Sequence, residues 1–118
     1  MRNNRNKGII GENLAVEHLV NKGYGILERN YRTKIGEIDI IAIKNNTLIF
    51  VEVKTRTSAN FGFPYEAVNK RKFHKILKTS LVYIKQKGYK GYQVRYDIIE
   101  VFLSNKRKIN HIENVFCL

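Results

Sequence analysis

The chain has 118 residues, 43% apolar and 27% charged, the composition of one ordinary globular domain over 1–118 with a real core. Lys and Arg number 22 against 10 acids, and the net charge of +12 points to a polyanionic partner, most simply nucleic acid. No apolar run approaches the roughly 20 residues that cross a bilayer, the start MRNNRNKGIIGE lacks the apolar stretch of a secretory signal, and the lone Cys117 can close no internal disulfide, so a reducing cytoplasm and no membrane are expected.

Residues 1–7 are rich in Asn, Arg and Lys and read as a loose basic arm. From Gly8 to about Lys22 the spacing predicts a helix, with Ile9, Val16, Leu19 and Val20 on a broad apolar face, Leu14 outside it and Glu12 at its edge. Gly23 is placed to end that helix. Strand material follows at Tyr24–Asn30, then at Glu37–Lys44 (EIDIIAIK) and Leu48–Thr55. Asn45 and Asn46 between the last two supply the left-handed tolerance of a tight hairpin. The stretch 57–64 (TSANFGFP) reads as a loop, and Pro64 can open a helix. From Glu66 to about Lys87, Phe73, Ile76, Leu77, Ser80, Leu81 and Ile84 recur at helical spacing, with Arg71, Lys72, Lys75, Lys78 and Lys85 on the other faces. Gly88 stops it, Gln93–Leu103 is a long strand, Asn105–Lys108 a polar turn, and Ile109–Phe116 a last edge strand. The order α, three strands, α, one or two strands predicts an α/β fold: a mixed central β-sheet flanked by helices on its faces.

Charged residues stand inside the most hydrophobic strands. Alternation puts Phe50, Glu52 and Lys54 on one face and Ile49, Val51 and Val53 on the other, and Glu37, Asp39 and Ile41 on one face of the preceding strand. A hairpin between the two brings Asp39 and Glu52 towards each other. Neighbouring carboxylates repel, and a divalent cation removes that cost. Carboxylate oxygens, a backbone carbonyl and waters are what Mg²⁺ (or Mn²⁺) accepts, and such an ion activates water and neutralises a phosphate under attack. Lys54 beside the pair can orient the water or stabilise developing charge. Alternatively, Glu52 and Lys54 are the wet face of a half-exposed hairpin joined as an ordinary ion pair.

"GEIDIIA" at 36–42 followed by "LIFVEVKTR" at 48–56 resembles the core motif of the restriction-endonuclease-like PD-(D/E)xK nuclease superfamily. With "GENLAVEHLVNKGYGILERNYR" at 11–32, "GFPYEAVNKRK" at 62–72 and "RYDIIEV" at 95–101, the chain from about Gly8 to Val101 resembles the YraN-like bacterial family, relatives of archaeal Holliday junction resolvases. The resemblance implies Asp39 and Glu52 as metal ligands, Lys54 as the catalytic lysine, and Glu12 as a further acid brought to the metal; a first-turn acid at the helix dipole is the plain alternative for Glu12. Ile38 stands where the superfamily name has Pro. The implied activity is metal-dependent hydrolysis of DNA phosphodiesters, with junction DNA as one substrate form and a two-fold homodimer as the assembly that paired cutting needs.

Tyr31 and Arg32 before the first of these strands, and Arg56 after the second, are candidate phosphate contacts or plain strand-end residues. Thr55 either binds phosphate or favours the strand. Glu66 and Lys70 are one helical turn apart, an ordinary pair that the resemblance places on the rim of the site, Lys70 facing DNA. Phe61 and Phe63 can stack on exposed bases or dock on the protein. His18, His74 and His111 are scattered without ligand spacing and read as structural or surface residues. A binding module for nucleic acid that lacks turnover keeps the same charge and fold, and a basic interaction subunit is the third reading.

Overall fold

The structure, a computed structural model, describes residues 2–57, 70–104 and 106–115, with side chains from Asn6 onward. Helix α1 (Arg2–Asn21) is followed by strands β1 (Gly25–Arg32), β2 (Glu37–Lys44) and β3 (Thr47–Arg56), helix α2 (Lys70–Lys87), and strands β4 (Gln93–Phe102) and β5 (Lys108–Ile112). One sheet runs in the order β1-β2-β3-β4-β5. β3 and β4 pair in parallel and the other neighbours antiparallel, so the sheet is mixed as expected and α2 lies on the crossover between its parallel strands.

Two apolar clusters sandwich the sheet. On one face Ala15 and Leu19 of α1 pack with Ile40, Ala42, Ile49, Val51, Ile99 and Val101. On the other, Ile76 and Tyr83 of α2 pack with Ile41, Leu48, Phe50 and Ile98. The alternation of β3, with Ile49 and Val51 on one side and Leu48 and Phe50 on the other, produces this division. Each fully buried side chain such as Leu19 or Phe50 contributes about 1.5–3 kcal/mol by leaving water. The two-residue turn at Asn45–Asn46, with Asn45 at φ 55°, joins Lys44 to Thr47 as anticipated.

Several expectations are corrected. α1 starts at Arg2, so residues 2–7 extend the helix where a loose arm was anticipated; adding turns to a nucleated helix is cheap even for Arg and Asn. Its buried positions are Gly11, Ala15 and Leu19, while Ile9 and Val20 are each 52% exposed and Leu14 lies half-buried against the core. β1 runs two residues beyond Asn30, and β5 ends at Ile112. Gly23 (φ 89°) does end α1: its amide reaches the Val20 carbonyl at 3.0 Å and that of Tyr24 the Leu19 carbonyl at 2.9 Å, the paired bonds of a Schellman cap. The expected loop at 58–64, with Phe61 and Phe63, and the helix start at Glu66 lie outside the described residues. No helix among the described residues is long and apolar enough to cross a membrane.

Candidate functional site

β1 and β2 break their alternation at the same level. Arg29 turns its side chain to Glu12 on α1, yet Tyr31, two residues on, packs against Tyr83 of α2, ring centroids 5.1 Å apart. Between them Asn30 has φ 54°, the left-handed conformation that Asn tolerates better than most side chains. Across the ladder, Ile40 belongs to the α1-side cluster and Ile38 to the α2-side cluster, although they too are two apart. The pairs Arg29↔Ile40 and Tyr31↔Ile38 bracket Asp39. Asp39 therefore sits on a seam beside Glu37, and what is corrected is the expectation that regular alternation puts both simply on the face of Ile41.

That position gives Asp39 two clefts. One, about 450 Å³, lies on the α1 side and is lined by Ile9, Glu12, Asn30, Arg32 and Thr55. The other, about 420 Å³, lies on the α2 side and is lined by Glu52, Arg71, Lys72 and Lys75. Asp39 and Glu37 border both. The regular β2–β3 pairing runs to Ile40↔Val51, and beyond it Asp39 Oδ2 accepts the Val53 amide at 2.8 Å, so a carboxylate continues the ladder. Burial pushes the Asp39 carboxyl up to about 7, the negative charge of Glu52 adds to the rise, and Glu12 and Glu37 add less; the Val53 amide opposes it.

Glu52 and Lys54 share the α2 face of β3, as alternation predicted. Glu52 Oε2 accepts from Lys72 Nζ at 2.9 Å and pairs with Lys54 Nζ at 3.3 Å. Burial and the hydrogen bond to Lys72 lower the Lys54 ammonium below its ordinary range. Lys72 is raised: burial works against its charge, but its bonds to Lys54 and Glu52 outweigh that. Lys72 was read only as one of the basic residues on the faces of α2 away from its apolar stripe. No spacing rule could have found it, because the contact depends on how α2 docks after a crossover.

Glu12 reaches the α1-side cleft from α1. Its Oε1 accepts from Arg29 at 2.9 Å and from Asn30 Nδ2 at 3.0 Å, so the residue that creates the seam also orients this acid. One residue before it, Gly11 is required by close approach: a Cβ there would collide with the Thr55 side chain, which seats α1 against β3. Among the described residues no three His, Cys, Asp or Glu side chains stand close enough together to enclose a metal ion.

The other candidates scatter. Tyr31 is drawn inward, its hydroxyl donating to Gln86 at 2.9 Å. Arg32 lines the α1-side cleft and pairs with Glu37 at 2.8 Å. Arg56 is held by the buried Glu100, Nε to Oε2 at 3.1 Å, and Glu100 is the register partner of Lys54. Lys70 is exposed at the start of α2. His18 and His111 hydrogen-bond each other at 3.1 Å, and His111 reaches Asp97 at 2.7 Å.

Known proteins agree in size and sequence. The chain is 52% identical to a UPF0102 protein of Caldanaerobacter subterraneus subsp. tengcongensis over 97% of both chains. It is 54% identical to one from Alkaliphilus oremlandii, over 96% of this chain and 99% of that one, and 50% identical to one from Clostridioides difficile, over 97% and 99%. The sequence profile described as uncharacterised protein family UPF0102 matches residues 11–101, the span from the glycine that seats α1 to the last buried valine of β4. The chain therefore belongs to the uncharacterised protein family UPF0102, the YraN-like family anticipated from its motifs.

Proposed function

We propose that the protein is a metal-dependent endonuclease that hydrolyses DNA phosphodiester bonds, branched or junction DNA included. The observation that carries this is the α2-side cleft, where two mutually repelling carboxylates, Asp39 and Glu52, lie under the basic residues Arg71, Lys72 and Lys75. The mixed sheet with a helix on each face is consistent with the nuclease-like fold that the motifs imply.

The donor chemistry fits a hard divalent ion such as Mg²⁺ or Mn²⁺. One or two carboxylates and a partial water shell are what Mg²⁺ usually takes from a protein, so a three-acid cage is not required. Asp39 and Glu52 would hold the ion, with Glu12 assisting from the neighbouring cleft through its charge. The ion would supply a more acidic bound water and neutralise charge on the phosphate. Lys54, with its depressed ammonium and its hold on Glu52, is placed to position the attacking water or take its proton. Hydrolysis adds the water oxygen to phosphorus and breaks one P–O bond, leaving one end phosphorylated and the other a hydroxyl. Arg71, Lys75, Lys70, Arg32 and Arg56 would contact the backbone, giving low sequence preference and a steep salt dependence.

The test is a panel of junction, flap, single-stranded and duplex DNA with Mg²⁺ or Mn²⁺. Wild type cuts at least one; Glu52→Ala and Lys54→Ala lose about 100-fold or more while still retaining DNA. If wild type leaves every substrate intact, the second reading, a binding module without turnover, replaces this one. What favours that reading is that two ammonium groups already neutralise Glu52.

A further inference from the structure

The geometry points to Lys72 as a positioning residue that occupies the Glu52 carboxylate in place of a divalent cation and must leave it when the ion arrives. The inference rests on the metal-dependent reading above and adds a control on it. Lys72 and Lys54 both lie against Glu52 Oε2, yet they are held differently. Lys54 comes from the same strand, two residues on, and its side chain is 19% exposed. Lys72 comes from across the cleft, from the first turn of α2, and its side chain is 41% exposed. An ammonium on a four-carbon stem is a compact, strongly hydrated charge that relocates easily. Its contact with Glu52 is also the shorter, 2.9 Å against 3.3 Å.

Three consequences follow from one carboxylate serving two kinds of cation. A divalent ion competes with Lys72 for Glu52, so the free protein holds metal weakly. Once displaced, the Lys72 ammonium remains in a cleft that Arg71 and Lys75 also line, where a phosphate would be its next partner. Metal and DNA then bind with positive coupling, because each removes a competitor of the other, and thermodynamic linkage makes that coupling reciprocal. Lys72 in this account does not touch the reacting atoms until the ion has taken its place.

The experiment is Mn²⁺ titration, by calorimetry or by the loss of free-ion EPR signal, of wild type, Lys72→Met, Lys72→Gln and Lys75→Met. Lys75 lines the same cleft, so its variant removes an equal charge and serves as the electrostatic control. Thermal melts confirm that each variant folds. Both Lys72 variants are expected to bind Mn²⁺ about tenfold more tightly than wild type, the ratio expected when a competing partly buried ion pair is removed. Lys75→Met is expected to shift affinity by no more than about twofold, as for an exposed charge. Unchanged or weaker Mn²⁺ binding in the Lys72 variants overturns the inference while leaving the metal site standing. An equal gain in Lys75→Met also overturns it, since bulk charge would then be the cause. Absence of Mn²⁺ binding in all four proteins overturns both the inference and the reading on which it rests.

Discussion

Two aspartates on this sheet, Asp39 and Asp97, are carboxylates pressed by burial towards the neutral form, and their neighbours send them in opposite directions. Asp97, beside Val51 in the parallel β3–β4 register, is 2% exposed. It accepts from Arg95 Nε at 2.9 Å and Nη2 at 2.8 Å, from His111 at 2.7 Å, and from the Asn114 amide at 2.9 Å. Burial raises its carboxyl, but those bonds, His111 first, hold it below the ordinary range. Asp39 has one amide, from Val53, and the charges of Glu52, Glu12 and Glu37 around it, and it rises to about 7. Both are built into a sheet; the hydrogen bonds of one outweigh its burial, and the single amide of the other does not. The difference separates a structural clamp, tying β5 and the chain after it to β4, from a site with unmet electrostatic demand.

The largest expected effect breaks the clamp. Asp97→Ala takes the carboxylate from the buried His111 ring and from the Asn114 amide, leaves Arg95 to Tyr24 and Glu113, and should cost about 3–5 kcal/mol, read as a fall in the urea midpoint. The pH profile carries the same signature. With a lowered folded pKa, the contribution of Asp97 is present above its unfolded value of 3.8 and is lost as pH falls through the folded one. His18 is lowered too, by burial and then by His111 and Lys22, so its neutral form is favoured on folding. That contribution is present above 6.5 and is lost as pH falls through the folded value. Read as differences, wild-type stability relative to His18→Gln should therefore fall as pH drops below about 6.5, and relative to Asp97→Ala as pH drops below about 4. A cost at Asp97 no greater than that of an exposed charge would dissolve the contrast.

Asp39 should respond with the opposite sign. Its raised pKa means that its stability contribution is full below 3.8 and is lost as pH rises through about 7. Asp39→Asn keeps an oxygen for the Val53 amide and removes the charge. At pH 8 the variant should be more stable than wild type by on the order of 2 kcal/mol, with the gap shrinking as pH falls from 7 towards 4. Urea midpoints at pH 5 and pH 8 decide it: a destabilised Asp39→Asn at pH 8 would make Asp39 a second clamp.

Much of this contrast lay partly open in the chain itself. The β2–β3 hairpin was legible because two independent local signals agree there: Asn45-Asn46 supplies the turn, and Ile and Val alternate with acids on either side. That agreement placed Asp39, Glu52 and Lys54 near one another. What stayed hidden depends on distance in the chain. Asp97, His111 and His18 lie on three elements, and nothing in their spacing marks them as partners. Lys72 looks like any lysine on a basic helix face until α2 is laid over β3. The seam at Asn30 was hidden for another reason: an Asn near the end of a strand reads as a boundary, whereas here the strand continues through it with its faces exchanged.

The smallest expected effect sharpens why Asp39 is the residue left exposed to two clefts. Asn30 does two jobs, accepting a left-handed backbone and donating to Glu12 at 3.0 Å. Asn30→Gly keeps the first and loses the second, so it should cost about 0.5–1 kcal/mol, the net worth of one hydrogen bond. Asn30→Ala loses both and should cost about 1–2 kcal/mol more, the penalty for a Cβ in that region. Thermal melts of the two variants at one pH measure the difference directly. If alanine and glycine prove equal, backbone conformation is not what turns β1 over between Arg29 and Tyr31. If alanine is worse, the turnover at Asn30 holds Asp39 at the seam: an alanine chain that relaxed to regular alternation would swing Asp39 wholly to one face and close it off from Glu12 or from Glu52.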